Sequence, residues 1–595
     1  MLYSYFHISV QRLLLHFIKT IFILTITISL AVAIEAMTIN TTKQLDSIDN
    51  SFKKASANHK NFNQNVTLSE IIYSEKSTKM LMDMLINNEA KTFSHISHKA
   101  FIQKIYQQNQ YLPFWFDSSG IKRGKVDELF ASIDKDITLN KNGKIRKQFR
   151  YLNKKIRDTK KRILKHELKL DLELSSLYRN YIGYHISGGI DWWSFQKKLS
   201  SLRRRKTAAN WATHNPKYDI ANLMLNYPLS HVLSVTTPSS FGYQKMIKEL
   251  KRLRKVELQG GWKKIPNSSQ LAYGRSGSVV TKLKRRLQSE GDYTCKQTNN
   301  RYDQCLKKAV KIFQKRHGVY ASGAINRVTR KKLNLSVDWK IKKLLLNIDR
   351  IKRLPDQAED RYIMVNIPDF RLYYKENGKE KLTMRVIVGD KTHHTPIFSN
   401  KVSFIVLNPY WLIPDSIVQK EMIPKMLKNP NYLKERGYEV RMNYAFSKPP
   451  IDTSKINWAK ALRNGQTKKY KFMQPPGPKN ALGKIKFKFP NRYAVYLHDT
   501  PTKKLFKKGW RTFSHGCIRI EKPSALLATF AKHERSVNYT RAKKILRGTN
   551  KTQLNLSQKV PVHILYLTAW INSDGLLHYR PDVYGYDSKQ HRSNY

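Results

Sequence analysis

The chain has 595 residues, a length that provides for several domains and more than one hydrophobic core. Its hydrophobic share of 40% and aromatic share of 11% indicate a globular protein and exclude a disordered one. Lys and Arg number 110 against 43 Asp and Glu, and the formal net charge of +67 attracts polyanions, although solvated basic helix faces account for it more simply.

The N-terminus has the order of a secretory signal. Arg12 and Lys19 precede an uncharged apolar run at 21–34, and small alanines follow. Residues 1–36 therefore predict a signal peptide or an uncleaved signal anchor, and the pattern does not separate the two. No later segment is long and apolar enough to span a membrane. We expect the rest of the chain to lie outside the cytoplasm, which argues against nucleic acid as a partner.

The next regions differ in their apolar periodicity. Residues 37–85 are rich in Thr, Asn, Ser and Lys and predict a linker. Residues 86–266 carry charged stretches with apolar residues at helical spacing and predict a helical scaffold. Residues 336–357 predict one further scaffold helix.

Residues 267–335 predict a compact unit of three short helices. The pattern resembles the peptidoglycan-binding domain of bacterial wall enzymes. It departs from that domain at Ser322, where an acidic residue is usual, and at Asn326, where a glycine is usual. A helical spacer is the alternative. Cys295 and Cys305 lie ten positions apart in this unit, and in an oxidising compartment we expect them to form a disulfide.

Strand patterns follow within residues 358–545, where β-rich runs alternate with turn signals such as Asn377-Gly378. A last strand is predicted at 494–497. A long insert at about 415–482 separates two of the strands, and its length suggests a lid or cap. Residues 546–595 are interpreted as a C-terminal extension. The predicted fold class is multidomain α+β.

The sharpest chemical signal is the run Ser-His-Gly-Cys-Ile-Arg at 514–519. Cys517 lies 19 positions after His498, a spacing that a strand–loop–strand return brings together. A cysteine attacks as its thiolate, and with a reference pKa of about 8.5 it needs a base near neutral pH. An imidazole takes that proton and later protonates a leaving amine. The N–H groups of Gly516 and Cys517 are candidates for an oxyanion hole.

Three alternative roles are open to these residues. In the first, Cys517 is a buried structural cysteine. The second is a zinc site formed by His498, His515 and Cys517, which have suitable ligand types but lack a convincing fourth ligand beyond Asp499. In the third, Cys517 forms a disulfide with a leftover cysteine. No cofactor and no metal are predicted.

His498 with the run at 514–519 resembles the signature of the YkuD-type L,D-transpeptidase catalytic domain. The wider order of anchor, scaffold, peptidoglycan-binding unit and capped catalytic domain is similar to the large YcbB-type members of Gram-negative bacteria. Leu412 departs from that pattern, where a polar Asn is usual. Further matching stretches lie at 362–370, 384–389, 395–399, 408–411, 475–483 and 567–570.

The resemblance implies a mixed β-sheet with Cys517 as nucleophile and His498 as general base, held by a backbone carbonyl near Asp499. It implies that Cys517 attacks a tetrapeptide stem, releases D-alanine and passes the acyl group to a neighbouring stem in a 3→3 cross-link. His515 and Ser514 would shape the loop. Arg519 would fix the loop or hold a substrate carboxylate.

The predicted partners are peptidoglycan stem peptides, the anionic cell wall and, if the N-terminal segment is uncleaved, the inner membrane. The expected location is the periplasm. Two alternatives keep the same chemistry, an L,D-carboxypeptidase and a lipoprotein-attaching enzyme. A third is a non-catalytic wall-binding scaffold.

Overall fold

The computed structural model describes residues 68–86, 98–158, 161–296, 299–355, 359–442 and 449–592. The predicted signal or anchor at 1–36 and the first part of the predicted linker lie outside the described residues. The described residues divide into two compact units. One contains 68–86, 106–122 and 162–171, and the other contains 98–105, 123–158 and the described residues from 172 onward. No helix within the described ranges combines the length and the hydropathy that a membrane span requires.

The first unit contains a helix where the sequence predicts a linker. Leu68–Ile86 is helical, and Ser77, Leu81, Met84 and Leu85 are buried along one face. The expectation of a linker is therefore wrong for residues 68–85. The apolar residues at 81, 84 and 85 have helical spacing, but this single short stripe is diluted by the polar composition around it.

The buried carboxylate of Asp171 organises the same unit. It accepts hydrogen bonds from the backbone N–H of Phe114 at 3.1 Å, from that of Trp115 at 2.7 Å, and from the Tyr106 hydroxyl. Burial raises the pKa of Asp171 to about 6, and these hydrogen bonds oppose the rise. A two-stranded hairpin, β1 (Phe116–Asp117) and β2 (Gly120–Ile121), completes the unit.

The predicted scaffold is helical. Its helices are Lys99–Gln108, Arg123–Lys135, Lys144–Asp158, Leu164–Ser187, Trp192–Arg204, Ile220–Asn226, Leu229–Thr236 and Tyr243–Leu258. Asp191 and Asp219 begin two of these helices, because each side chain accepts a hydrogen bond from a backbone N–H of the first turn.

The predicted peptidoglycan-binding unit has three helices, Ser278–Ser289, Gln304–Arg316 and Arg327–Leu333. Asn326 caps the third helix by accepting a hydrogen bond from the N–H of Thr329 at 2.8 Å, so the residue that replaces the usual glycine has a structural use here. The structure joins Cys295 to Cys305 in a disulfide, which is the predicted pairing.

A buried ion cluster ties this unit to the following helix, Val337–Ile351. The Glu290 carboxylate, 1% exposed, accepts from Lys340 Nζ at 2.5 Å and pairs with Arg316 and Arg286. Arg316 also donates to Asp292 and to the carbonyl of Leu577 at 3.0 Å. Burial and the neighbouring arginines lower the pKa of Lys340 to about 7, with Glu290 opposing.

Replacing Glu290 with alanine is expected to destabilise the protein by about 3–5 kcal/mol, because three buried cations lose their common partner. The measurement is urea denaturation followed by tryptophan fluorescence. Asp338→Ala is the control, since its pair with Lys342 is exposed and is worth about 0.5 kcal/mol or less. An equal loss in the free energy of unfolding in the two variants would contradict the stabilising role of the buried ion cluster.

The C-terminal half is built on strands. In chain order these are β3 (Arg361–Asn366), β4 (Arg371–Glu376), β5 (Lys379–Gly389), β6 (Phe398–Leu407), β7 (Trp411–Leu412), β8 (Glu439–Met442), β9 (Tyr470–Gln474), β10 (Ile485–Lys488), β11 (Leu497–His498), β12 (Thr512–Ser514), β13 (Ile518–Ile520), β14 (Thr552–Leu565), β15 (Ala569–Ile571) and β16 (Leu577–Tyr579). The helices Pro523–Ala531, Tyr539–Ile545 and Tyr586–Lys589 follow or flank them.

Nine of these strands form one mixed sheet in the order β12-β5-β13-β11-β10-β6-β14-β3-β4. Strand β5 pairs with β4 as well as with β13, so the sheet closes on itself. The enclosed core is apolar, and it includes fully buried Val365, Val386, Ile405, Leu497 and Ile518. The mixed α+β fold class predicted from the sequence is confirmed.

The large sheet continues past the predicted domain boundary at residue 545. Strand β14 lies inside the sheet, antiparallel to β6 and parallel to β3. Residues 552–565 therefore belong to the sheet domain rather than to a C-terminal extension. The strand's apolar run is visible in the sequence. Its partners β6 and β3, however, lie about 150 and 200 residues earlier in the chain, and a local pattern does not reveal such long-range pairing.

The predicted insert at 415–482 belongs to a small subdomain of residues 411–442 and 449–482, here called the cap. It contains helical segments Asp415–Ile417, Val418–Met422, Ile423–Lys428, Tyr432–Arg436 and Trp458–Arg463 beside a three-stranded sheet in the order β7-β9-β8. The cap has its own apolar core, which includes Ile413, Ile423, Val440 and Phe472. A separate core allows the cap to keep its shape independently of the large sheet.

Candidate functional site

The candidate site lies on one face of the large sheet, where β10, β11 and β13 are neighbours. Leu497 pairs with Ile518, and both are fully buried in the core. Because side chains alternate along a strand, the adjoining residues His498 and Arg519 lie on the opposite face. They pair with each other in register, and Lys486 of β10 is the partner of His498 on the other side.

His498 is 4% exposed and has a fixed tautomer. Its Nδ1 lies 2.6 Å from the carbonyl oxygen of Asp499. A carbonyl only accepts, so Nδ1 carries the hydrogen and Nε2 of the neutral ring keeps a lone pair. Burial, followed by the charges of Arg519 and Lys486, lowers the pKa of His498 to about 3. The imidazole is therefore neutral near neutral pH, with no proton on Nε2.

Cys517 is half-buried and is the free cysteine of the described chain. The N–H of the next residue, Ile518, donates to the carbonyl of Tyr496 at 3.1 Å, which places Cys517 beside Tyr496. The Tyr496 hydroxyl forms a hydrogen bond with the sulfur. Burial raises the pKa of the thiol above its usual value, while Tyr496 and the charges of Lys486 and Lys488 oppose that rise.

The loop before the cysteine is held from two sides. Ser514 Oγ donates to the Cys517 carbonyl at 2.5 Å and accepts from the N–H of Gly516 at 3.3 Å. The Gly516 carbonyl accepts from Thr395 Oγ1 at 2.8 Å, and the φ of Gly516 is +102°. Glycine is required by this φ, which other residues rarely adopt. The oxyanion role assigned to Gly516 stays a prediction, and its N–H is directed to Ser514 here.

The His515 side chain contacts the cap. Its Nε2 contacts Glu421 Oε1, and its ring centre lies 4.7 Å from that of His393. Glu421 belongs to the Val418–Met422 turn of the cap. This contact joins the cap to the loop that carries Cys517.

Arg519 is half-buried, and no carboxylate among the described residues pairs with it. Burial lowers the pKa of its guanidinium, with Cys517 opposing. An arginine in this position is available to a carboxylate ligand. Within the described ranges, His, Cys, Asp and Glu do not group in threes or more in a way that would hold a metal ion.

Asp499 is anchored through its side chain, so that its carbonyl stays under His498. The carboxylate accepts from the N–H groups of Lys484 at 2.9 Å and Thr500 at 2.7 Å and pairs with Lys503. Gly483 leaves room for it, because a Cβ on this glycine would lie 2.4 Å from the Asp499 carboxyl carbon. The backbone of Gly483 also has a φ of +60°. The structure thus gives Asp499 a carbonyl contact to His498, and its catalytic role stays a prediction.

Gly483→Ala is expected to lower the free energy of unfolding by about 1–3 kcal/mol, because a Cβ there meets the Asp499 carboxylate in a strained backbone. Urea denaturation measures it. Gly477→Ala is the matched control on the same loop, since nothing lies within 4 Å of a Cβ built there. If Gly483→Ala is as stable as the control, the loop accommodates a Cβ at this position without cost, and the prediction is wrong.

Three residues at or beside this face, Tyr496, Lys486 and Glu421 of the cap, are not among the site residues that the sequence predicts. Tyr496 is two positions before His498, and a period of two along a strand is a signal that points to it. Lys486 and Glu421 reach the site through long-range pairing, which no local pattern shows. The strand predicted at 494–497 is also shorter than expected, since Ala494 has a φ of +53° in a turn closed by Asn491. Because of that turn, the strand begins only at Leu497.

Three regions of the chain match known domain families. Residues 360–545 match YkuD, the L,D-transpeptidase catalytic domain. Residues 100–250 match a scaffold domain, and residues 276–333 match a family described as "Putative peptidoglycan binding domain". The first match contains Cys517 and His498.

A curated relative from Haemophilus influenzae, named "Putative L,D-transpeptidase", is 36% identical over 245 residues. The match covers 41% of this chain and 48% of that protein, so the chain spans about half the length of the relative. Among solved structures, the L,D-transpeptidase (Yku) from Stackebrandtia nassauensis is 14% identical with a TM-score of 0.20, over 51% of this chain and 96% of that one. The L,D-transpeptidase from Mycobacterium smegmatis is 12% identical with a TM-score of 0.17, over 35% and 58%. From the family matches, this chain carries a YkuD-type L,D-transpeptidase catalytic domain together with a scaffold domain and a peptidoglycan-binding domain.

Proposed function

We propose that this protein is an L,D-transpeptidase that acts on peptidoglycan tetrapeptide stems through a Cys517 acyl-enzyme and forms 3→3 cross-links. The observation that carries the proposal is the sheet face itself. Cys517 directly precedes β13, and β13 pairs with the strand that carries His498, a neutral imidazole whose Nδ1 lies 2.6 Å from a carbonyl oxygen. The match of residues 360–545 to the L,D-transpeptidase catalytic domain supports the reaction type.

In the first step, the Cys517 sulfur attacks the carbonyl carbon of the third stem residue. The thiol proton moves to Nε2 of His498, which the fixed tautomer leaves free to accept it. The bond to the terminal D-alanine then breaks, and His498 returns the proton to the departing amine. The products are a thioester on Cys517 and free D-alanine.

In the second step, an amine of a neighbouring stem attacks the thioester carbonyl. His498 takes a proton from that amine and returns it to the sulfur as the carbon–sulfur bond breaks. An amide forms for the amide that was lost, so the thioester stores the energy and no nucleotide is consumed.

The charges around the sulfur suit a carboxylate-bearing substrate. Arg519 lacks a carboxylate partner in the described structure and lies beside Cys517 on the same face. We assign it the terminal carboxylate of the donor stem, which guanidinium groups bind in bidentate fashion. The chain's formal charge of +67 favours approach of the anionic wall.

The cap supports transfer to an amine over transfer to water. Its Glu421 contacts His515 two residues before the nucleophile, so the cap lies directly against the catalytic loop. A covered site excludes water from the thioester and protects it from hydrolysis.

We also propose that the chain acts in the periplasm, with residues 1–36 as its signal or inner-membrane anchor. The signal-like order of the N-terminus and the disulfide between Cys295 and Cys305 support an oxidising compartment. Fractionation of expressing cells tests this, and recovery of the protein in the cytoplasm with three free thiols would contradict it.

The experiment that tests the activity uses the purified chain and disaccharide-tetrapeptide muropeptides, with the products resolved by mass spectrometry. We expect a dimer whose mass is that of two free tetrapeptide muropeptides less one D-alanine. The control is Cys517→Ala, which is expected to give no dimer.

The other products separate the alternatives. Tripeptide monomer without dimer would indicate an L,D-carboxypeptidase or an enzyme supplied with the wrong acceptor, such as one that attaches a lipoprotein. Unchanged substrate together with retained binding to wall sacculi would favour the non-catalytic scaffold.

A further inference from the structure

Charge compensation for a thiolate at Cys517 cannot come from His498 in the resting site. His498 is buried between two cations, Arg519 and Lys486, and both oppose its protonation. In many cysteine enzymes an imidazolium faces the thiolate. Here a positive charge on His498 would be the third in a row beside Arg519 and Lys486, so the sulfur needs another partner for its negative charge.

Lys486 has the position for that task. It is the in-register partner of His498 on β10, and its neighbours Ile485 and Phe487 are buried in the core on the other face. Its Nζ lies 3.9 Å from the centre of the Tyr496 ring. The Lys486 ammonium therefore rests on the ring whose hydroxyl meets the Cys517 sulfur.

Lys486 is also without a counter-ion. It is half-buried, and none of the ion pairs among the described residues includes it. Burying a cation without a carboxylate partner costs free energy, because the charge loses its hydration. That free-energy cost falls when an anion forms nearby. The Cys517 thiolate is the anion that this face is able to form.

We propose that Lys486, acting with Tyr496, stabilises the Cys517 thiolate and so sets the reactivity of the nucleophile. The ammonium supplies the compensating charge, and the Tyr496 hydroxyl donates to the sulfur once the proton has left. In the free enzyme, without substrate, the step is the loss of the thiol proton to solvent, with no other bond changed; the transfer of that proton to His498 belongs to the attack on a bound substrate. Lys486 acts through space and through Tyr496, so it is a positioning residue. The inference deepens the proposed function and rests on Cys517 being its nucleophile.

The electrostatic contributions agree with this geometry. Burial first, and then Lys488, lowers the pKa of Lys486 to about 8, while Cys517 opposes the fall. The pKa of the Tyr496 hydroxyl is raised by burial first and then by Cys517. The groups that act on the sulfur are Lys486 and Lys488 of β10, Tyr496, and Arg519 of β13. Lys486 and Arg519 also act on His498, and Lys551 acts on Lys486.

The test measures the pKa of the thiol without any substrate. Iodoacetamide alkylates Cys517 alone, since the other two cysteines form a disulfide. The rate of alkylation of the intact chain against pH gives the pKa of Cys517. We expect Lys486→Met to raise that pKa by about one pH unit, the size expected when a half-buried unit charge that acts on the thiolate is removed.

Four further variants separate charge from packing. Lys486→Arg keeps the charge and is expected to restore the wild-type pH profile. Tyr496→Phe keeps the ring and is expected to raise the thiol pKa through loss of the hydroxyl. Lys488 Nζ lies 5.3 Å from the centre of the same ring, farther than Lys486 Nζ, so Lys488→Met is expected to raise the thiol pKa by less. Lys401→Met, at an exposed position of β6, is the control and is expected to change nothing.

A wild-type thiol pKa in Lys486→Met would overturn the inference, provided that its melting temperature matches that of the Lys401→Met control. If Lys486→Met does not fold, Tyr496→Phe serves as the test instead. An unchanged thiol pKa in Tyr496→Phe would then overturn the inference. Failure of the proposed function is distinguishable from either result. In that case the alkylation profiles shift as described while muropeptides remain unchanged.

Discussion

Replacing Cys517 with alanine is expected to abolish cross-linking, with a loss of about 10⁴-fold or more in turnover, because the acyl group then has no nucleophile to receive it. The fold should survive. The Cys517 sulfur lies 3.8 Å from the carbonyl oxygen of Ala494, which is a long contact. The side chain is half-buried and does not belong to the core. Dimer formation measured by mass spectrometry, with the melting temperature measured alongside, checks both statements.

Cys517→Ser is the matched comparison for this variant. Serine keeps the size and the approximate hydrogen bonding of the side chain but is a much weaker nucleophile at neutral pH. We expect it to remain nearly inactive. Cross-linking by Cys517→Ala at a rate close to that of the parent would show that another residue carries the acyl group.

Replacing His498 with glutamine is expected to reduce turnover by about 10²- to 10⁴-fold, the usual contribution of a general acid–base group. Glutamine still donates to the Asp499 carbonyl but has no basic nitrogen to take the thiol proton. Because the neutral ring supplies no charge to the sulfur, the thiol pKa measured by alkylation should change little. Turnover and alkylation therefore separate proton transfer, which depends on His498, from thiolate stabilisation, which we assign to Lys486.

The same variant has a pH signature in stability. The pKa of His498 is lowered from 6.5 to about 3, so the unfolded state binds the proton more readily. The contribution of this group to stability is full above about pH 6.5 and declines as the pH falls toward 3. In His498→Gln, the melting temperature should therefore fall less steeply than in the parent as the pH is lowered from about 6.5 toward 3. A thiol pKa raised by a full pH unit in this variant would instead indicate an imidazolium–thiolate pair.

The sequence indicates the parts of the fold that have local signals. The three short helices predicted within 267–335 are present, and the β-rich runs near 362 and 384 fall within the strands Arg361–Asn366 and Lys379–Gly389. Strand Thr552–Leu565 escapes local prediction because its pairing partners lie far away in the chain. The helix Leu68–Ile86 escapes it because one short apolar stripe is hidden in a polar composition.

The candidate site divides in the same way. The pair Cys517 and His498 is visible because both residues lie at the ends of short strands with a compact spacing. Lys486 is invisible, since one basic residue in a chain with 110 Lys and Arg carries no signal until its register opposite His498 is known. Glu421 likewise lies in an insert whose own core has to form before its side chain meets His515.

The most direct test of the central claim is to trap the acyl-enzyme. The purified chain is mixed with a tetrapeptide donor in the absence of an acceptor amine and quenched in acid, and its intact mass and the peptides after digestion are measured. We predict a mass gain equal to the donor minus D-alanine, with the tripeptide acyl group on the peptide that contains Cys517. No adduct on that peptide while D-alanine is released, or an adduct on a different residue, would contradict the assignment of Cys517 as the nucleophile.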